Sequence, residues 1–281
     1  MPSFATPEPI LADLEPVVGN VRIVAGDRTE TVVEVAPLDA NNDSDVDAAK
    51  RTVVEFSGGT LTVRAPKMRL LDFSRRTRSI DVTIELPAGS RVQGSTGLGD
   101  LTVTGRIGAC RYKSGTGHIR LDRAGELKLH TASGNIVVEH ADGNADISTS
   151  SGRVQVGAID GTAVVKNSNG PTTVGAAADS IRLRSANGDI TVDKAESGVE
   201  AKTANGSVRV LDAARGTLTL ETSLGDVEIG IREGSAAWLD VNTSFGRVVN
   251  DMTASTAPGD ATDKVEVHAG TAVGDILVHR S

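Results

Sequence analysis

Lys202-Thr203-Ala204-Asn205-Gly206-Ser207-Val208-Arg209-Val210 reads as a short strand, a tight turn closing on Gly206, and a second short strand. Versions of it end on Gly99, Gly117, Gly134, Gly152, Gly170, Gly188, Gly206, Gly225, Gly246 and Gly274, at steps of 18, 17, 18, 18, 18, 18, 19, 21 and 28 residues. A period near 18 with strand-type patterning is the mark of a parallel β-solenoid, in which each repeat is one coil laid on the last. The expected fold is therefore all-β: a single-chain parallel β-solenoid (β-helix) of about ten 18-residue coils with an antiparallel N-terminal cap. Right-handed winding follows from the preference of parallel crossovers.

Aligned on the glycine, the repeats become columns. Three residues earlier stand Thr96, Ser114, Thr131, Thr149, Asn167, Ser185, Thr203, Thr222, Thr243 and Thr271, small polar groups suited to bonding the turn backbone. Two and four residues later come aliphatic pairs such as Ile136/Val138, Ile190/Val192 and Val208/Val210, and seven and five residues earlier pairs such as Leu127/Leu129 and Ile181/Leu183. Each pair skips one residue, as on a strand with one buried face. A third inward column, seven after the glycine, holds Ala124, Ala141, Ile159, Ala177, Ala195 and Ala213 and suggests a third, close-approaching side to each coil.

Residues 1–95 are less regular and read as the N-terminal β cap and first coil, with 96–281 the solenoid repeats and closing strands of one continuous domain. Gly19-Asn20-Val21-Arg22-Ile23 echoes the repeat, and Gly58-Gly59 reads as a hairpin turn. Asp251–Lys264 reads as a loop, followed by a closing strand pair at Lys264–His268 and Asp275–Val278.

The Thr/Ser-x-x-Gly-Asp-hydrophobic-x-Val repeat is preceded by Ile84-Glu85-Leu86-Pro87-Ala88-Gly89-Ser90-Arg91-Val92. With Gly161-Thr162-Ala163-Val164-Val165-Lys166-Asn167-Ser168-Asn169-Gly170 and Ala236-Ala237-Trp238-Leu239-Asp240, it resembles a bacterial β-strand-repeat family of unknown function, often labelled "putative adhesin". The resemblance covers nearly the whole chain. It implies a single-chain β-solenoid and carries no catalytic or binding motif.

Composition narrows the function. A net charge of −8 and a pI near 5.2 oppose bulk attraction to nucleic acid, and 2% aromatics leave little for base or sugar stacking. Met1–Pro9 shows neither a basic region nor an apolar run, and no apolar stretch is long enough for a membrane span, so a cytoplasmic protein is expected. The single Cys110 falls in an inward column and reads as a small buried hydrophobe.

Chemistry-bearing motifs are scarce, and no cofactor is expected. His118, His130, His140, His268 and His279 occupy mostly different columns, so no histidine metal cluster is expected. Asp43-x-Asp45-x-Asp47 lacks the glycine and glutamate of a calcium loop, and reads instead as a Ser44/Asp47 capping box before a short helix. Directly after the glycines, Asp100, His118, Asn135, Asp189, Ser207, Asp226 and Asp275 read as turn-stabilising groups, and Asn169, Asn187 and Asn205 as a stacked amide ladder.

One outward face stands apart. Arg111, Lys113, Lys128, His130, Lys166, Arg182, Arg184 and Lys202 recur in two neighbouring columns, against Asp146 and Glu200, and form a basic stripe on an acidic chain. Stacked like charges repel, so the stripe is a candidate interaction face for an acidic partner. Lys67, Arg69, Arg75, Arg76 and Arg78 are candidates to extend it. The favoured function is a non-enzymatic scaffold or interaction module that binds a protein partner or itself. The alternatives are a polysaccharide- or ligand-binding adhesin-like surface and, third, a carbohydrate-active β-helix enzyme.

Overall fold

A computed structural model describes residues 1–65, 78–252 and 263–281. They fall into two compact units, Met1–Val138 and Glu139–Ser281, taken here in turn. The first holds β1 (Ser3–Ala5), β2 (Leu11–Val18), β3 (Val21–Gly26), β4 (Glu30–Pro37), α1 (Asp43–Arg51), β5 (Val53–Ser57) and β6 (Thr60–Arg64). It continues with β7 (Ile80–Pro87), β8 (Arg91–Leu98), β9 (Leu101–Ile107), β10 (Cys110–Thr116), β11 (Ile119–Ala124), β12 (Leu127–Ser133) and the start of β13 (Ile136–Ala141).

Two sheets form in this unit, in the orders β1-β4-β7-β3-β9-β11 and β5-β6-β2-β8-β10-β12. Pairing is antiparallel at β1/β4, β4/β7 and β5/β6, and parallel at β3/β7, β3/β9, β2/β6, β2/β8 and in the coils that follow. Gly58 and Gly59, with φ of 57° and 76°, make the tight β5–β6 hairpin turn. Helix α1 starts earlier than its sequence suggests. Asn42, not Ser44, is its N-cap, accepting a hydrogen bond from the Ser44 N–H, while the buried Asp45 carboxylate accepts from the Asp39 and Ser79 N–H groups.

The second unit contains β14 (Ala145–Ser151), β15 (Val154–Ile159), β16 (Ala163–Asn169), β17 (Thr172–Ala177), β18 (Ile181–Asn187), β19 (Ile190–Ala195) and β20 (Val199–Asn205). After these come β21 (Val208–Ala213), β22 (Gly216–Leu224), β23 (Val227–Ile231), β24 (Ala236–Phe245), β25 (Val248–Asn250), β26 (Lys264–Val273) and β27 (Ile276–Arg280). Among the described residues the pairing here is parallel, one coil against the next, as in Asn169↔Asn187↔Asn205 and Thr173↔Thr191↔Arg209. The parallel β-solenoid is thus present, built on two sheets. The alanine column adds no third sheet: Ala195 and Ala213 end β19 and β21 and are fully buried. The odd step from the fourth to the seventh place after the glycine falls inside the strand: in β19 Asp193 and Lys194 are both exposed before the buried Ala195, while pairing with β21 stays in register.

The coils do not stack in strict sequence order. The ladders end β20-β22-β26-β24 and β21-β23-β27-β25, so the chain's last strand pair is inserted beneath the coil that precedes it. The turn side chains follow the same spatial order. The Ser207 N–H donates to Asp189 Oδ1 (2.9 Å), Asp226 N–H to Ser207 Oγ (3.3 Å), Asp275 N–H to Asp226 Oδ1 (2.8 Å) and Arg247 N–H to Asp275 Oδ1 (2.8 Å). Arg280, at the end of β27, fixes the insertion by donating to the Arg232 and Ser235 carbonyls. Of the loop expected between these strands, residues 253–262 lie outside the described residues.

The turn glycine is needed twice over. Gly188 has φ +149°, and a Cβ there would stand 2.1 Å from the Gly170 carbonyl oxygen of the neighbouring coil. The polar residue three places earlier seals the same spot. Thr203 Oγ1 donates to the Gly188 carbonyl, and Thr222 Oγ1 to that of Gly206, from buried positions. The exposed Asn205 and Asn187 amides donate to Asn187 and Asn169 Oδ1 at 2.7 and 2.9 Å, completing the amide ladder.

Gly188→Val is therefore expected to destabilise the protein by roughly 3 kcal/mol or more, through positive-φ strain and backbone collision. Ala186→Val, two residues away on an exposed site, is expected to stay within about 0.5 kcal/mol of wild type. Urea midpoints compare the two, and equal shifts would contradict the double role of the glycine.

Candidate functional site

Within each unit the basic residues are register neighbours, and carboxylates are set among them. In the first unit Arg111 and Lys113 on β10 lie beside Lys128 and His130 on β12, and Arg111 approaches Glu126 at 3.6 Å. In the second, Lys166, Arg184 and Lys202 are register partners on β16, β18 and β20, and Arg182 is opposite Glu200. Glu200 takes hydrogen bonds from Arg182 (2.6 Å) and Arg184 (3.3 Å), and Lys202 reaches Glu221 (2.9 Å). Partial burial of Glu200 opposes its ionisation, yet the two guanidinium hydrogen bonds hold its carboxyl below the usual range. Glu221 occupies the column of Lys202 one coil on, so its sequence position already announced this alternation. Lys67, Arg69, Arg75 and Arg76 lie outside the described residues.

On the second unit's other edge, Arg232 donates to Asp212 (2.7 Å) and to Glu196 (2.9 Å), while Ser281 Oγ donates to Asp212 (2.9 Å). Hydrogen bonding to Arg232 holds both carboxyls below their ordinary values. Near the unit's start, His140 Nε2 stands 2.9 Å from Asp160 and 3.5 Å from Asp142. These three donor atoms are close enough together to share a divalent cation, and equally form an ion pair when the imidazole is protonated. Counting histidines alone missed this group, because two of its donors are aspartates on successive turns. Cys110 is fully buried and its thiol is pushed up to about 12, leaving it a packing residue.

The least ordinary surface is the end coil, β24 and β25. Both ladders terminate there, and its apolar groups are open to solvent: Trp238 is 56% exposed, Phe245 75%, Val248 43% and Val249 40%. Val248 belongs to an inward column whose neighbours Val227 and Ile276 are 1% and 0% exposed. Leu239 and Val241 are likewise only half-buried, whereas Val267 and Leu220 in the same columns are fully buried. Trp238 packs edge-on against His268, with ring centroids 5.3 Å apart. Edge strands are ordinarily shielded by lysine, proline or bulges, and β24 has a single charge, Asp240, and no proline. The sequence signal for this end was Asn250, a polar residue at an inward place held by Ile229 and Val278 in neighbouring coils.

The Arg232 cluster gives a pH test. Carboxyls held low in the folded state add stability above the ordinary carboxylate range, which is lost as pH falls through their lowered values. Arg232→Met should cost about 1 kcal/mol at neutral pH, and the difference from wild type should shrink below about pH 4. Thermal melts at several pH values measure it; a cost independent of pH would assign Arg232 a packing role alone.

Among the described residues, no helix is long and apolar enough to cross a membrane. No curated protein matches the chain. Solved structures to which the chain shows some similarity include a "putative adhesin" from Bacteroides fragilis, at 13% identity and TM-score 0.42, with 99% of this chain and 95% of the other covered. Another "putative adhesin", from Parabacteroides merdae, has 12% identity, TM-score 0.42, and 100% and 95% covered. A "putative cell adhesion protein" from Clostridium sporogenes has 12% identity, TM-score 0.31, and 100% and 98% covered. At these values the likeness carries nothing about function. The family model described as Toastrack DUF4097, in contrast, matches residues 19–281 along the coil repeat described above, and the chain belongs to that family.

Proposed function

We propose that this protein is a non-enzymatic interaction module that docks a polypeptide on its open end coil, β24 and β25. The observation that carries this reading is the exposure of Val248, 43%, in a column otherwise sealed. An inward-facing valine left in water, beside a long strand edge that pairs with no further strand among the described residues, suits an added strand that continues both the ladder and the apolar interior. Trp238 and Phe245 flank that edge and supply large apolar contact area. The cationic columns enter as a lateral surface suited to an acidic contact. Because Glu200 and Glu221 already balance Arg182, Arg184 and Lys202, the primary contact is assigned to the end coil.

A photo-cross-linking residue placed at Phe245 in the cell that makes the protein tests this directly. A covalent polypeptide adduct is expected from position 245, and none from Thr191 on the lateral face of β19. No adduct, or equal adducts from both positions, would sink the docking edge.

A further inference from the structure

We propose that the polypeptide docked on the end coil is a second copy of this chain, joined end to end about a two-fold axis. The inference rests on the docking-edge reading and adds the identity of the occupant. A two-fold interface brings one surface against itself, so the edge must be complementary to its own reversed copy. Antiparallel pairing of β25 with its copy, centred on Val249, sets Val248 against Asn250 and Arg247 against Asp251. Each interface then holds two reciprocal Arg247–Asp251 pairs. Both groups are available at the rim: Arg247 is 82% exposed while touching Asp275 at 3.2 Å, and Asp251 is exposed where it extends the ladder by donating its N–H to the Val278 carbonyl.

The companion strand obeys the same geometry. Centred on Val241, antiparallel β24 places Leu239 against Thr243, inward against inward, and Trp238 against Ser244, outward against outward. Asp240 then faces Asn242; centring on Asp240 would instead oppose two carboxylates. Val241 and Val249 lie on opposite sides of the Gly246 turn, one on each sheet, and the proposed axis crosses both strands at these residues. The half-buried Leu239 and Val241 and the exposed Val248 become interior residues of a continuous stack.

Sedimentation of the full chain at tens of micromolar tests the inference, with expected mass twice the 29.0 kDa of one chain. Trp238→Lys with Phe245→Lys should halve that mass while the variant still unfolds cooperatively, because both side chains are exposed in the single chain. Arg247→Asp alone and Asp251→Arg alone should each yield the single-chain mass by opposing like charges. Arg247→Asp combined with Asp251→Arg should restore the double mass, a rescue that mere loss of the Arg247–Asp275 contact does not predict. A wild-type chain that sediments singly, or a charge swap that fails to rescue, overturns the two-fold pairing. If the wild type is single while the residue at 245 captures a different polypeptide in the cell, the docking edge stands and the second-copy occupant falls. If neither association is seen, both fall.

Discussion

The approach of one turn to the next governs this molecule. Turn glycines sit where a Cβ would collide with the carbonyl of the glycine in the neighbouring coil, at 1.9 Å for Gly134 over Gly117 and 2.1 Å for Gly188 over Gly170. That closeness lets the backbone of successive turns stack without a side chain between them. It also brings the buried Thr203 and Thr222 hydroxyls within reach of the neighbouring glycine carbonyls. Backbone groups at a corner between sheets would otherwise be buried without partners, at a cost of about 1–3 kcal/mol each. Glycine and threonine thus answer one requirement, and the strands inherit their register from it.

The same turns carry a second ladder on their solvent side. Asp100 Oδ1 receives the His118 N–H, and His118 Nδ1 receives that of Asn135, which assigns the ring proton to Nε2. Aspartate, histidine, asparagine and serine serve alike because each presents an acceptor to the next backbone N–H. This explains why the column tolerates such varied chemistry and need not be a catalytic row. A stack built in this way has no internal reason to stop, so its ends are where specificity must be supplied. Antiparallel strands lie at one end of the first unit's ladders, whereas the second unit's ladders end on a parallel strand edge with apolar residues in water.

Most of this architecture was legible because a period-2 pattern inside a fixed period leaves few alternatives. Val208, Val210 and Leu183 are buried as read, and Asn169, Asn187 and Asn205 form their ladder. The coil order was not legible, since Ala236–Phe245 and Lys264–Val273 carry interchangeable inward patterns and only long-range pairing chooses between them. Asn250 was the one local hint, a polar residue where an interior coil wants an aliphatic one. Asp146 and Glu200 were read among the basic columns, but Glu221 was missed because its column was followed only as far as Lys202, one coil short. The third inward column was read as a third side, whereas it ends strands of an existing sheet: two consecutive residues, Asp193 and Lys194, face solvent before the buried Ala195, so parity changes within β19. At α1, Asn42 and Ser44 are both sound caps by residue type, and the Asp45 carboxylate bonded to the Ser79 N–H decides where the helix begins.

Everything proposed about the end coil depends on the inserted order of the last two coils, which hydrogen exchange on the single-chain Trp238→Lys, Phe245→Lys protein measures most directly. With β26 and β27 held between two neighbours on each sheet, amides in 264–280 should exchange as slowly as those in 216–231, and those in 236–250 should be the fastest of the three. If 264–280 exchanged fastest and 236–250 were protected, the coils would be stacked in sequence order and the account of the open end would be wrong.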